Sequence, residues 1–96
     1  GPQWLYAHPE EVRIIDVREP HELLGGRIKG VENVPLGAVR ASAKDWDLNE
    51  ALVLVCRSGG RSGRAAIELE SLGFRRVASL RGGMIDWVQQ EFEVVL

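Results

Sequence analysis

The residues with the clearest chemical potential lie at positions 53 to 64, which read V-L-V-C-R-S-G-G-R-S-G-R. Cys56 is the only cysteine of the chain; it follows an apolar run and precedes Gly59 and Gly60, with Arg57, Arg61 and Arg64 around them. A thiol attacks only as thiolate, so the setting matters through what lowers the thiol pKa. Glycines remove the side chains that would keep backbone N–H groups from turning inward, which permits an anion-binding nest. A lone cysteine after an apolar strand is more often a small core residue. A core cysteine needs neither the glycine pair nor the arginines, and these turn the reading towards a reactive thiol beside a bound anion.

The rest of the composition narrows the chemistry. With 96 residues the chain is long enough for one domain and one core. A formal charge of −2 gives no general reason to expect nucleic acid or an anionic membrane as partner, so any cationic site must be local. One cysteine excludes a disulfide framework and a multi-cysteine zinc site, and suits a reducing, cytoplasmic setting. His8, His21 and Cys56 have no metal-ligand spacing, and the glycines near Cys56 are not a dinucleotide-binding turn, so neither metal nor organic cofactor is expected. No apolar run has the length of a membrane-spanning helix, and the start has no signal-peptide pattern. Gly1-Pro2, without an initiator methionine, reads as a remnant of tag removal, leaving residues 3–96 as a single domain.

These residues need elements to position them. Val12 to Val17 is short and β-branched and reads as a strand, and Pro20 suits the first turn of a short helix with Leu23 and Leu24 facing inward. Val31 to Pro35 reads as a second strand, Leu36 to Trp46 as a helix, and Ala51 to Val55, uniformly apolar, as a central strand covered on both faces. A helix begins near Ser62, which stands where an N-cap belongs; Ala65, Ala66, Leu69 and Leu72 follow at helical spacing, and Gly73 closes it. Its unpaired N–H groups and positive dipole end would point back at Cys56. Val77 to Leu80 is a further strand, Gly82-Gly83 a turn, and Met84 to Gln90 a last helix with Ile85 and Val88 inward. Strands alternating with helices predict an α/β fold with a small, mainly parallel sheet between helical layers. In such sheets ligands sit beyond the carboxyl ends of the strands, where Cys56 falls.

C-R-S-G-G-R-S followed by a helix resembles the active-site loop of the rhodanese, or sulfurtransferase, family. The likeness extends along the chain through Asp16-Val17-Arg18-Glu19, the segment Gly26 to Pro35, Gly73-Phe74, and Leu80-Arg81-Gly82-Gly83-Met84 through Trp87. Each motif is weak alone, but together and in this order they are specific. Two departures stand out: Arg27 and Lys29 replace the family's usual histidine and proline, and the segment before Asp16 is short, so that a first edge strand is missing or contracted.

The resemblance implies a rhodanese-like three-layer α/β/α domain whose Cys56 carries sulfur as a persulfide, taken from a donor such as thiosulfate and given to a thiol, cyanide or a protein acceptor. Carried onto this chain, the backbone of Arg57, Ser58, Gly59, Gly60, Arg61 and Ser62 would hold the sulfur anion, with Arg57 on the donor's sulfonate. Ser58 and Ser62 could add hydroxyls. Arg61 either faces the anion or, slightly favoured, turns away to pair with Asp16 or Glu19. Asp16 and Arg18 read as structural charges that support the loop. Arg27 and Arg40 read as solvated surface, Trp87 as core, and His8 and His21 carry no role.

The phosphatases that share this fold use a longer loop with arginine six positions after the cysteine; here that position is Ser62, and the shorter loop suits a sulfur atom better than a phosphate. Arsenate reduction would need an external resolving thiol. A sulfur-relay or non-enzymatic module of a larger protein is the other alternative, and the intact cysteine loop argues for activity over inertness.

Overall fold

A computed structural model describes residues 1–96. The chain begins with helix α1 (Pro2–Ala7), followed by strand β1 (Arg13–Asp16), a 3-10 helix at Pro20–Gly25 and the two-residue strand β2 (Glu32–Asn33). Helix α2 (Val39–Ser42), β3 (Leu52–Val55), α3 (Gly60–Ser71), β4 (Val77–Ser79) and α4 (Gly83–Gln89) complete it. The four strands form one sheet in the order β2-β1-β3-β4, and every pairing is parallel.

Side-chain alternation along the strands divides the core between two faces. Ile15, Val17, Leu52 and Leu54 point towards α2 and α3, where they pack with Val39, Ala65, Leu69 and Phe74. Ile14, Val53 and Val55 point the other way, against Leu5 of α1 and Met84 and Trp87 of α4. The result is the three-layer α/β/α arrangement the sequence implies. All of β3 is buried, as its uniformly apolar pattern requires. Truncating Leu54, which is fully buried, to alanine would cost about 2–5 kcal/mol in transfer and cavity terms.

Helix α3 ends as expected at Gly73: the Gly73 N–H donates to the Glu70 carbonyl and the Phe74 N–H to that of Leu69, while Phe74 and Leu69 sit in the same core cluster. Several expectations are corrected. Ser62 is not the N-cap of α3; Gly59 is, and Ser62 lies inside the first turn. Leu24 is 80% exposed, because the Pro20–Gly25 segment winds as a 3-10 helix whose three-residue period turns only Leu23 inward. In α4 the two stripes three residues apart, Met84/Trp87 and Ile85/Val88, compete for the core, and the larger pair is the buried one. The helix expected from Leu36 to Trp46 is only one α-turn, Val39–Ser42, between 3-10 turns at Leu36–Ala38 and Ala43–Asp45. Pro2, set aside on sequence grounds, is buried and opens α1. In the order β2-β1-β3-β4 the outer strands are β2 and β4.

Candidate functional site

Strand β3 carries Cys56 out at its carboxyl end, and the chain then turns sharply into α3. The turn is possible because Gly59 adopts φ +107, a conformation that side-chain-bearing residues rarely take. That geometry aims the Gly59 N–H at the Cys56 sulfur, 3.0 Å away, and the Ser62 oxygen lies 3.4 Å from the same sulfur. Ser62 Oγ also donates to the Gly59 carbonyl at 3.3 Å and shares a hydrogen bond of 2.6 Å with the hydroxyl of Ser79 on β4.

Cys56 is 1% exposed. Burial alone pushes its thiol pKa up, and this is the largest single influence. The Ser62 hydroxyl and the backbone N–H groups of Ser62, Gly59 and Ser58 together outweigh it, so the thiol stands below its ordinary value. The 12-residue helix α3 starts at this point and directs its unpaired N–H groups and dipole at the sulfur. The loop is thus built to carry negative charge on one sulfur atom.

A second layer fixes the loop from outside. The N–H groups of Met84 and Ile85, in the first turn of α4, donate to the carbonyls of Cys56 and Arg57 at 2.9 and 3.0 Å. So close an approach is open only to glycine at position 83: a Cβ there would collide with the Cys56 carbonyl oxygen and stand 2.6 Å from that of Arg57. The Leu80 to Met84 motif therefore closes the cysteine loop as well as starting a helix. The sequence marks Gly83 as a turn residue within the Leu80 to Trp87 motif but not as a support of the cysteine loop, and nothing in it marks Ser79.

The charged residues sort into two groups. Asp16 and Arg18 are buried at the end of β1 and pair with each other, Arg18 Nη2 donating to Asp16 Oδ2 at 2.7 Å and Nε to Oδ1 at 2.9 Å. Arg18 also donates to the Glu22 and Gly26 carbonyls, which ties the Pro20–Gly25 turn to the sheet. Glu22 on that turn receives Arg61 at 2.6 and 2.9 Å. Arg61 accordingly turns aside, but its partner is Glu22, not Asp16 or Glu19, because both Asp16 oxygens are already taken by Arg18. Arg57 forms no ion pair and lines an open groove of about 530 Å³ whose wall includes Met84, Ile85, Val88 and Val94. Arg27 is on the surface, where its backbone bridges Val95, and the exposed Arg40 is 3.7 Å from Glu68. His8 and His21 are exposed.

A family model described as rhodanese-like domain matches residues 1–90. The chain belongs to the rhodanese-like family. Among curated relatives, a sulfurtransferase of Allochromatium vinosum is 33% identical over 89 residues, covering 93% of this chain and 83% of that protein. The putative sulfur carrier protein YrkF of Bacillus subtilis is 38% identical over 78 residues, covering 81% of this chain. The chain spans only 42% of YrkF. A crystal structure of a rhodanese-related protein from Thermoplasma volcanium matches with a TM-score of 0.90 at 32% identity, covering 99% of this chain and 94% of that one. The named relatives thus include a sulfurtransferase and a putative sulfur carrier, and no helix in this domain is long and apolar enough to cross a membrane.

Proposed function

We propose that this rhodanese-like domain moves sulfane sulfur from a small anionic donor such as thiosulfate to a thiophilic acceptor through a persulfide on Cys56. The observation that carries this reading is the cradle around one sulfur atom: the Gly59 N–H at 3.0 Å, the Ser62 hydroxyl at 3.4 Å and the start of α3. Cys56 thiolate attacks the outer sulfur of thiosulfate; the new S–S bond forms as the old one breaks, and its electron pair leaves with sulfite. The acceptor, a thiolate or cyanide, then attacks the outer sulfur of the persulfide, and the electron pair of that S–S bond returns to Cys56. No external oxidant or reductant is needed.

The backbone N–H groups of residues 57 to 62 lower the charge cost at both stages because they are already oriented. Arg57, exposed beside the loop and without an acidic partner, is the group for the donor's sulfonate. Asp16, Arg18 and Arg61 act on the loop by position. A single free thiol suits a reducing compartment such as the cytoplasm.

The test is the intact mass of the protein before and after incubation with thiosulfate, with Cys56→Ser alongside. A gain of one sulfur atom on the wild type alone, removed by cyanide or a thiol, supports the reading. The fraction of YrkF covered by this chain favours one alternative, a sulfur relay within a larger protein. Loading by a protein persulfide but not by thiosulfate would select it.

A further inference from the structure

The Ser62 hydroxyl touches the Cys56 sulfur at 3.4 Å, the Gly59 carbonyl at 3.3 Å and the hydroxyl of Ser79 at 2.6 Å. The last contact is the shortest, and it comes from outside the cysteine loop. Strand β4 sets it up: Val77 stands opposite Leu52 and Ser79 opposite Leu54, so both side chains share the face that meets α3. Leu52 and Leu54 belong to the core on that face, and Val77 packs against it. An apolar residue would suit position 79 on packing grounds. The serine instead sets a hydroxyl under the first turn of α3, with Ser62 as its hydrogen-bond partner.

Counting protons gives this pair a direction. While Cys56 is a thiol, its S–H can donate to Ser62 Oγ and the Ser62 proton can go to the Gly59 carbonyl. A thiolate only accepts, so the Ser62 proton must then turn to the sulfur. The Gly59 carbonyl is not orphaned by this, because it keeps the Gly63 N–H at 2.9 Å. With the Ser62 proton committed, the 2.6 Å bond between the hydroxyls can be made only by the proton of Ser79. A hydroxyl that accepts a hydrogen bond in this way donates a stronger one.

We propose that Ser79 is a positioning residue for the Cys56 thiolate: by donating to Ser62 Oγ it holds the Ser62 proton on the sulfur. On the sulfur-transfer reading, from which this follows, the same donor serves twice in a turnover. It favours the thiolate that attacks the donor, and it meets the electron pair that returns to Cys56 when the persulfide S–S bond breaks. The charged groups on the surrounding elements have other places: Arg61 of α3 is held by Glu22, Asp16 of β1 by Arg18, Arg57 lines the open groove, and Asp86 of α4 lies over Gly82. None of them bonds to Ser79, so replacing it leaves them in place.

The experiment is thiolate absorbance against pH for the wild type, Ser79→Ala, Ser79→Val and Ser79→Thr, and for Ser62→Ala with and without Ser79→Ala, using Cys56→Ser as the blank. Ser79→Ala and Ser79→Val should each lower the thiolate fraction about threefold at a pH below the wild-type midpoint, one by leaving space and the other by filling it. Ser79→Thr, which keeps the hydroxyl, should restore it. Adding Ser79→Ala to Ser62→Ala should change nothing further, because the relay is already cut. Titrations of both apolar variants that coincide with wild type, a normal titration for Ser79→Val alone, no restoration by a folded Ser79→Thr, or a full additional effect on the Ser62→Ala background would each overturn the proposal. If Ser79→Thr does not fold, the comparison on the Ser62→Ala background decides. The titration needs no sulfur donor, so a domain that takes no sulfur from thiosulfate would count against the transfer reading and leave the role of Ser79 to be decided by these curves.

Discussion

Arg61 is fastened to Glu22 by two hydrogen bonds, Nη1 to Oε1 at 2.6 Å and Nη2 to Oε2 at 2.9 Å. Of the two arginines in the cysteine loop, one is therefore committed to holding the loop in place and the other is left for the donor. Arg57→Ala should raise the thiosulfate KM about tenfold or more with kcat within about twofold, whereas Arg61→Gln should leave KM within about twofold. Steady-state kinetics on the two variants decide it. A KM raised equally by both would assign Arg61 to the anion.

The same pair makes stability sensitive to acid. Arg61, and then the Glu19 N–H, hold the Glu22 carboxyl down to about 2 from an ordinary value of 4.5. A carboxylate with a lowered folded-state pKa contributes fully above its unfolded value and loses that contribution as pH falls through the folded one. With side-chain exposures of 23% for Glu22 and 34% for Arg61, solvent screening limits the contribution to about 1 kcal/mol. Denaturant unfolding of wild type and Glu22→Gln should differ by that amount at neutral pH. The two should converge between pH 4.5 and about 2.

Ser62 bears on the thiol itself. Burial opposes the thiolate and the Ser62 hydroxyl is the first of the groups that overcome it, so Ser62→Ala should shift the Cys56 titration upward. Sulfur loading near neutral pH should slow several-fold and recover as pH is raised, since more of the thiol is then ionised. Thiolate absorbance against pH gives the titration directly. An unchanged titration would remove the hydroxyl from the account.

Glycines in this chain differ sharply in what they tolerate. Gly83 combines φ +55 with a Cβ position against two loop carbonyls, so Gly83→Ala should cost about 3 kcal/mol or more and disorder the cysteine loop. Gly63, in the first turns of α3, has open space around its Cβ position, and Gly63→Ala should stabilise the protein by about 0.5–1 kcal/mol. Thermal unfolding of both variants checks the contrast.

What could be read from the sequence follows from where each signal resides. The cysteine loop, β3 and the Gly73 helix stop are local patterns, in which residue type and spacing decide the backbone. The partner of Arg61 is decided by tertiary packing: Asp16, Glu19 and Glu22 all lie in one short segment, and Arg18 occupying Asp16 is what leaves Glu22 free. The inward face of α4 was assigned to Ile85 and Val88 and is in fact Met84 and Trp87, because the two pairs have the same spacing and only packing against the sheet chooses between them. Ser79 belongs to a strand whose own pattern has no reason to name it; only the crossing of β4 with the start of α3 brings its hydroxyl to Ser62.

The two amides of α4 that hold the carbonyls of Cys56 and Arg57 come from residues 84 and 85, late in the chain. During synthesis the cysteine and its arginines leave the ribosome well before the groups that hold their loop in shape. Without α4 docked, the carbonyls of Cys56 and Arg57 would lack these two donors. The shape of the nucleophile's loop is thus tied to the docking of a helix that begins 27 residues after Cys56.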